Sequence, residues 1–391
     1  MPDWPGPQNN LMTFKKQKFS QDNNAEFYTE LRARVGDYFE ENNISKNANA
    51  NMVIKTIFMF SLYFVPYGLM LGGVITSVGA MVGMFVLMGF GMAGIGLSVM
   101  HDACHGSYSS KKWVNDLMSY SMMIVGGNSE IWKLQHNVLH HTYTNIDGAD
   151  DDIATPGVVR FSPYAEKKPW HKFQFLYVWF LYGISTFFWI TSKEFAQVAR
   201  YRKMGLISDK KRYNKILAQL IGFKAAYYVY ALILPIVFMP QFSPWAVFGA
   251  FCLMHFTTGL ILSMIFQTAH VMPECDYQAH NPSKKIENSW AVHEMETTAN
   301  YAPKSGWFTW YVGCLNFQVE HHLFPDICNI HYKKISGIVE STAKEYCVPY
   351  YTHKTFLEAL QEHVKMLRKL GTWEKVDEPA QVQEEMAATT A

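Results

Sequence analysis

The stretch Thr76–His105, TSVGAMVGMFVLMGFGMAGIGLSVMHDACH, carries no charged residue until it closes on two histidines four apart. At 1.5 Å per residue its apolar part, Thr76–Val99, spans roughly the 30 Å of bilayer hydrocarbon. It reads as a membrane helix that delivers His101 and His105 to one surface. Three further runs share its character: Val53–Leu71, Leu220–Met239 and Trp245–Ala269. Lys55 marks the entrance of the first, and Pro66 and Pro235 predict kinks. Gly72-Gly73 and Pro240–Pro244 are short uncharged turns, so the runs form two hairpins. Leu117–Val125 is too short to cross. Phe173–Trp189 is dense in Phe, Tyr and Trp, the chemistry of a membrane interface, and both segments are expected there.

Composition agrees. Charged residues are 17% of 391, below the roughly 25% of an average soluble domain. The net charge of +1 supplies no basic face for nucleic acid. Six cysteines without a CxxC pair argue against a disulfide framework or a zinc ribbon. The first residues lack a signal-peptide core, so the chain is expected not to be secreted.

Charge placement sets the topology. The hairpin turns hold no Lys or Arg, whereas the N-terminal region and the segment Lys193–Arg212 are rich in both. The positive-inside rule then puts both termini and the middle segment in the cytoplasm. The expected fold is an all-α integral membrane protein: four transmembrane helices in two hairpins beneath a helical cytoplasmic cap holding a histidine-rich di-metal site. Its parts are an N-terminal region (1–52) with an amphipathic helix near Asn24–Asn43, a first hairpin (53–99), a cap segment (100–219), a second hairpin (220–269), a second cap segment (270–373) and a disordered tail (374–391).

Fifteen histidines are present and none precedes His101. Seven form three clusters: His101/His105, His136/His140/His141, and His321/His322 after Gln318. On a helix, residues four apart share a face, so His101/His105 and His136/His140 are each expected to converge. His270 ends the fourth run as His101 follows the second. Eight imidazoles exceed one ion's needs and suit two. Nearly all-imidazole ligation points to iron, copper, zinc or nickel, and the lack of a CxxCH haem motif makes non-haem iron the leading ion. HExxH, GxSxG, P-loop and GxGxxG patterns are all absent. Metal–oxygen attack on an unactivated C–H bond fits instead, and at this depth the substrate is a lipid chain.

The boxes HDACH, HNVLHH and QVEHH, with the flanking HHTYTN and NFQVEHHLFP, resemble the membrane-bound fatty acid desaturases. Glutamine at the head of the third box resembles front-end and sphingolipid members. The resemblance implies a di-iron centre using O2, with His101, His105, His136, His140, His141, His270, His321 and His322 as ligands. It leaves open whether Gln318 ligates. Asp102, Asp147, Asp150, Asp151, Asp152, His293 and His331 are candidates to orient those imidazoles. His171, His255, His280, His353 and His363 are read as structural.

Many front-end members carry a fused cytochrome b5, whose haem needs two histidines. None lies before His101. The electron donor is therefore expected to be a separate ferredoxin or cytochrome b5 with its reductase, docking on Arg200, Arg202, Lys203, Lys210, Lys211 and Arg212. A membrane hydroxylase or alkane monooxygenase is the alternative within this chemistry; a transporter and a zinc hydrolase are the alternatives outside it.

Overall fold

In the computed structural model, which describes residues 14–20, 24–155 and 157–373, helices dominate and strands are reduced to two short parallel pairs. The expected tail, Glu374–Ala391, lies outside the described residues. Asn49 caps α2 (Ala50–Leu71) by accepting from the N–H groups of Asn51 and Met52; Ser77 caps α3 (Val78–His105) at Ala80. Gly73 turns the chain between them at φ 74°, a conformation that glycine adopts without strain. The other long helices are α4 (Pro169–Lys203), α5 (Lys210–Phe238) and α6 (Pro244–His270).

Five helices among the described residues, α2 to α6, are thus long and apolar enough to cross a membrane. The sequence reading counted four, because Phe173–Trp189 alone falls short. That segment is the middle of a 35-residue helix. Hydropathy ends at Trp189, but the helix runs on because Glu194, Gln197, Val198 and Tyr201 remain buried on one face. Pro66 lies inside α2, and Pro235 follows the π-helical turn Val229–Ile233 in α5.

Small residues bring the helices into contact. A Cβ on Gly91 would lie 2.6 Å from the Tyr63 nitrogen, and one on Gly259 would lie 2.6 Å from the Gly183 carbonyl oxygen. Between helices in lipid, close packing replaces the hydrophobic drive of water. Met59, Tyr63, Phe85, Met88, Tyr227, Phe251 and Met254 fill the interior of the bundle. Ile54, Ile57, Val65, Val237 and Trp245 face outward, an apolar belt of the kind that contacts lipid. The spans are less apolar inside than expected. His255 is buried against the Tyr227 hydroxyl at 2.7 Å, and Lys224 is buried beside Glu194.

The expected amphipathic helix forms as α1 (Ala25–Glu41). Phe27, Leu31, Val35 and Phe39 are buried in one cluster with Val319, Phe324, Tyr332, Ile335 and Val339, the last three on α7 (Tyr332–Glu345). At about 1.5–3 kcal/mol per buried side chain, that stripe contributes on the order of 6–12 kcal/mol before entropy. Strand β1 (Ile146–Asp147) pairs with β2 (Gln278–Ala279), and β3 (Ala299–Tyr301) pairs with β4 (Tyr351–His353), which leads into α8 (Phe356–Thr372). The first pair ties the chain after the second box to the chain after α6. The second holds the approach to the third box, where Asn300 Oδ1 accepts the Val319 N–H.

Candidate metal centre

The first box closes α3. A π-helical segment, Ile95–Met100, leads into the last turn, His101–His105, and Gly106 stops it at φ 79°. The second box lies on a helical run that Asn128 caps by accepting from Glu130 and Ile131 N–H. Within it Leu134–His140 is π-helical, and this changes the expected geometry. A wider turn aligns residues five apart rather than four. His141 Nε2 accordingly lies 3.2 Å from His136 Nε2, while His140 also has other partners. His136 and His140 still converge, as expected, with stacked rings 5.2 Å apart and their Nδ1 atoms 3.5 and 3.7 Å from Asp152, a third cluster able to hold an ion. The third box forms the short helix Gln318–Leu323.

These elements bring the imidazoles into two groups. His101, His105, His136 and His321 form one, and His140, His270 and His322 the other. His141 stands between them: its Nε2 is 2.9 Å from His321 Nε2, and its ring stacks on His322 at 4.4 Å. In the first group His101 Nε2 is 3.2 Å from His136 Nε2. Nitrogens about 2.1 Å from a shared ion would lie about 3.0–3.4 Å apart, and these spacings fall close to that range.

Four of the Nδ1 atoms are held by hydrogen-bond partners, whereas those of His101 and His141 are buried without one. His140 Nδ1 lies 3.1 Å from both oxygens of Asp150, and His322 Nδ1 lies 2.7 Å from Glu294 Oε2. His270 Nδ1–H donates to the Thr297 carbonyl at 3.2 Å, and His321 Nδ1 lies 3.2 Å from the Tyr332 hydroxyl. Such partners fix the tautomer and aim the other nitrogen inward. The Nε2 atoms of His105, His270 and His322 are buried with no hydrogen-bond partner, as are both amide atoms of Gln318. Orphaned inward nitrogens of one chemical type fit a bound transition metal.

Electrostatics follow from burial. Desolvation pushes His136, His141, His321 and His322 well below the ordinary imidazole range, which keeps them neutral with a lone pair free to ligate. His140 is the exception. Burial would lower it too, but Asp150 and Asp152 prevail and raise it to about 9. Burial pushes Glu294 well above the usual carboxyl range, and a cation at the histidines would restore its charge.

The structure sorts the remaining candidates. Asp150 and Asp152 serve the histidines as expected. Asp102 also faces a histidine, its Oδ1 3.9 Å from His101 Nδ1, while its Oδ2 takes the Asn329 N–H at 2.9 Å. Asp151 binds Arg200, Tyr201 and Gln197 on α4 instead. Asp147 pairs in β1 and belongs to neither histidine group. His293 turns to the Thr144 carbonyl at 2.8 Å and His331 to the Asn47 carbonyl at 3.2 Å. The residue the sequence reading missed is Glu294, next to His293. Its only signal was its place beside His293 in the short helix Trp290–Glu296, which carries a second carboxylate, Glu296. Thr144, whose hydroxyl donates to Glu294 at 2.8 Å, was missed with it. Of the expected docking residues, Arg200 is paired with Asp151 and Arg212 with Glu130, while Lys203, Lys210 and Lys211 are exposed.

Residues 76–354 match the fatty acid desaturase family. The chain belongs to that family. It is 34% identical over 362 residues to the sn-1 linoleoyl-lipid 6-desaturase of Arthrospira platensis, covering 92% of this chain and 96% of that protein. A Synechocystis protein of the same name is 32% identical, with 92% and 99% covered. An acyl-lipid (8-3)-desaturase of Physcomitrium patens is 33% identical over 92% of this chain and 75% of its own length. The chain is a membrane fatty acyl desaturase, and its histidine clusters are suited to a metal.

Proposed function

We propose that this desaturase inserts a cis double bond on the carboxyl side of existing unsaturation in a lipid-linked acyl chain, using two non-haem irons and O2. The observation that carries the reading is the sorting of seven imidazoles from three boxes and α6 into two groups, with His141 between them. The names of the relatives support the acyl-lipid substrate, and the glutamine-headed third box supports front-end attack.

His101, His105, His136 and His321 would hold one iron and His140, His270 and His322 the other, with His141 at their junction and Gln318 beside them. Two irons there would supply the activation of O2 that removes hydrogen from an unactivated C–H bond. The chain's own residues do the rest. Asp150, Glu294, Tyr332 and the Thr297 carbonyl would keep His140, His322, His321 and His270 each in one tautomer. Trp132, stacked on His136 at 4.4 Å, and Phe266, 6.2 Å from His101, close the site with apolar surface. Desaturation joins two substrate hydrogens, two electrons and two protons to O2, giving two waters. The electrons come from outside the site, and we assign them to a separate ferredoxin or cytochrome b5 with its reductase, docking on the exposed lysines of the α4–α5 turn.

Four of the five long helices cross in this reading, with both termini and the site cytoplasmic. Two contacts support leaving α4 uncrossed. Near its start Gln174 Nε2 donates to the Leu367 carbonyl on α8 at 2.8 Å, and near its end Tyr201 donates to Asp151 at 2.5 Å. Both partners lie on the histidine side. The test of function is expression in a host lacking polyunsaturated lipids, fed defined fatty acids, with products read by gas chromatography. A new double bond nearer the carboxyl end supports the reading; a hydroxylated product refutes it.

A further inference from the structure

Lys224 lies in α5, within the run Leu220–Phe238 whose other residues are apolar or aromatic, with 7% of its side chain exposed. An ionisable group in such a place is retained only with a partner and marks a working part of the protein. Its ammonium donates to the carbonyls of Gly126 and Trp189, each at 3.0 Å, and lies 2.7 Å from Glu194 Oε2. The other Glu194 oxygen accepts the Asn128 N–H at 2.7 Å.

Those four contacts meet at one place. Gly126, at φ 83°, makes the turn before Asn128; a Cβ there would lie 2.8 Å from Ile190 Cγ2 and 3.1 Å from Tyr227 Cδ1. The turn is wedged between α4 and α5 with no slack. Asn128 then caps the helical run that carries Trp132, His136, His140 and His141. Trp189 opens the π-helical turn of α4, and Lys224 takes its carbonyl. Trp189, Gly127, Met122 and Met100 also line a narrow apolar cavity of about 40 Å³. Met100 immediately precedes His101.

We propose that Lys224 and Glu194 are positioning residues for desaturation: the pair seats the second histidine box against the apolar cavity and so sets which C–H bond meets the metal. The proposal rests on the histidine cluster being the catalytic metal centre. The pair reaches the reaction only through the Gly126–Asn128 turn and Trp189.

The test uses the full chain in membranes, with rates expressed per metal-loaded chain. In Lys224→Met the Glu194 carboxylate is buried without a counter-charge. We expect kcat to fall about 10–100-fold, the cost of a misplacement near one ångström, and the double-bond position to broaden. Lys224→Arg, which keeps charge and donors, should retain a single product. If Lys224→Met does not fold, Lys224→Met with Glu194→Gln carries the same expectation, since it removes the unpaired charge but not the misplacement. An unchanged kcat and product position in whichever variant folds overturns the proposal. Failure of both to fold overturns it too, because the pair is then a folding requirement alone. Wild-type protein active without metal would defeat the metal reading, not the pair.

Discussion

Glu294 is the sharpest place to test how the histidines are held. It is fully buried, accepts the Thr144 hydroxyl at 2.8 Å, and faces His322 Nδ1 at 2.7 Å. In Glu294→Gln the amide oxygen can keep the contact to His322, but the charge assistance is lost. Charge-assisted bonds are roughly twice as strong as neutral ones, so of about 1.5–3 kcal/mol about half goes. That is about 4- to 12-fold in metal affinity. Glu294→Ala removes the carboxylate at His322 Nδ1 and leaves it only the Thr144 hydroxyl at 3.4 Å, and about a hundredfold is expected, the upper end for losing an imidazole's outer partner. The effect should be confined to the His140–His270–His322 group, because His321 is held by Tyr332 and His136 faces Asp152. Graded chelator titration with elemental analysis reads this directly. Wild-type protein should fall from two irons to none at high chelator, and the variants should pass through a one-iron form at about 4- to 12-fold and about 100-fold lower chelator. If both variants hold both irons at the wild-type chelator concentration, the outer contacts do not tune this site.

Three further outcomes are expected. Alanine at His101, His140 or His322 should abolish double-bond formation and lower bound iron while circular dichroism stays helical, because the bundle buries its apolar faces without them; active protein containing zinc, or one metal per chain, contradicts two irons. Single cysteines at the exposed Trp170 and Ser208, at the two ends of α4, should label from the same side of sealed vesicles, whereas opposite-side labelling means that α4 crosses. Purified desaturase should be silent with substrate, O2 and NADPH, and active once a reductase and carrier are added, with a rate that falls as salt rises; turnover without a carrier refutes the external donor.

The membrane helices were legible because apolar length is a one-dimensional property. The four runs chosen from sequence all lie inside long helices, and the amphipathic helix near Asn24–Asn43 forms with its four apolar residues buried. The length of α4 was not legible, since its last third is amphipathic and is held by contacts that sequence does not display, such as Tyr201 to Asp151. The histidines were legible from clustering. Their partners were not: among Asp147, Asp150, Asp151 and Asp152, which lie within six residues of one another, only the fold decides that Asp150 and Asp152 turn inward while Asp151 turns to Arg200. Glu294 comes from a segment more than 140 residues away from His140, and no local pattern joins them.

One departure from expectation explains how a single chain segment can serve two groups. On an ideal α-helix His136 and His140 share a face, and His141 points about 100° away. Three histidines so placed would crowd two imidazoles onto one ion and strand the third. The π-helical segment Leu134–His140 widens the turn, so His141 Nε2 meets His136 Nε2 while His140 stacks on the His136 ring at 5.2 Å. His140 is then free to meet His270 and His322, with ring centroids 4.8 and 5.0 Å away, and to take Asp150 behind it. The extra residue in the turn is thus what divides the second box between the two groups. π-bulges are costly in hydrogen-bond geometry and tend to persist where a site needs them. The same device precedes the first box at Ile95–Met100, whereas the π-helical turns Trp189–Lys193 and Val229–Ile233 carry no histidine and belong to the long helices α4 and α5.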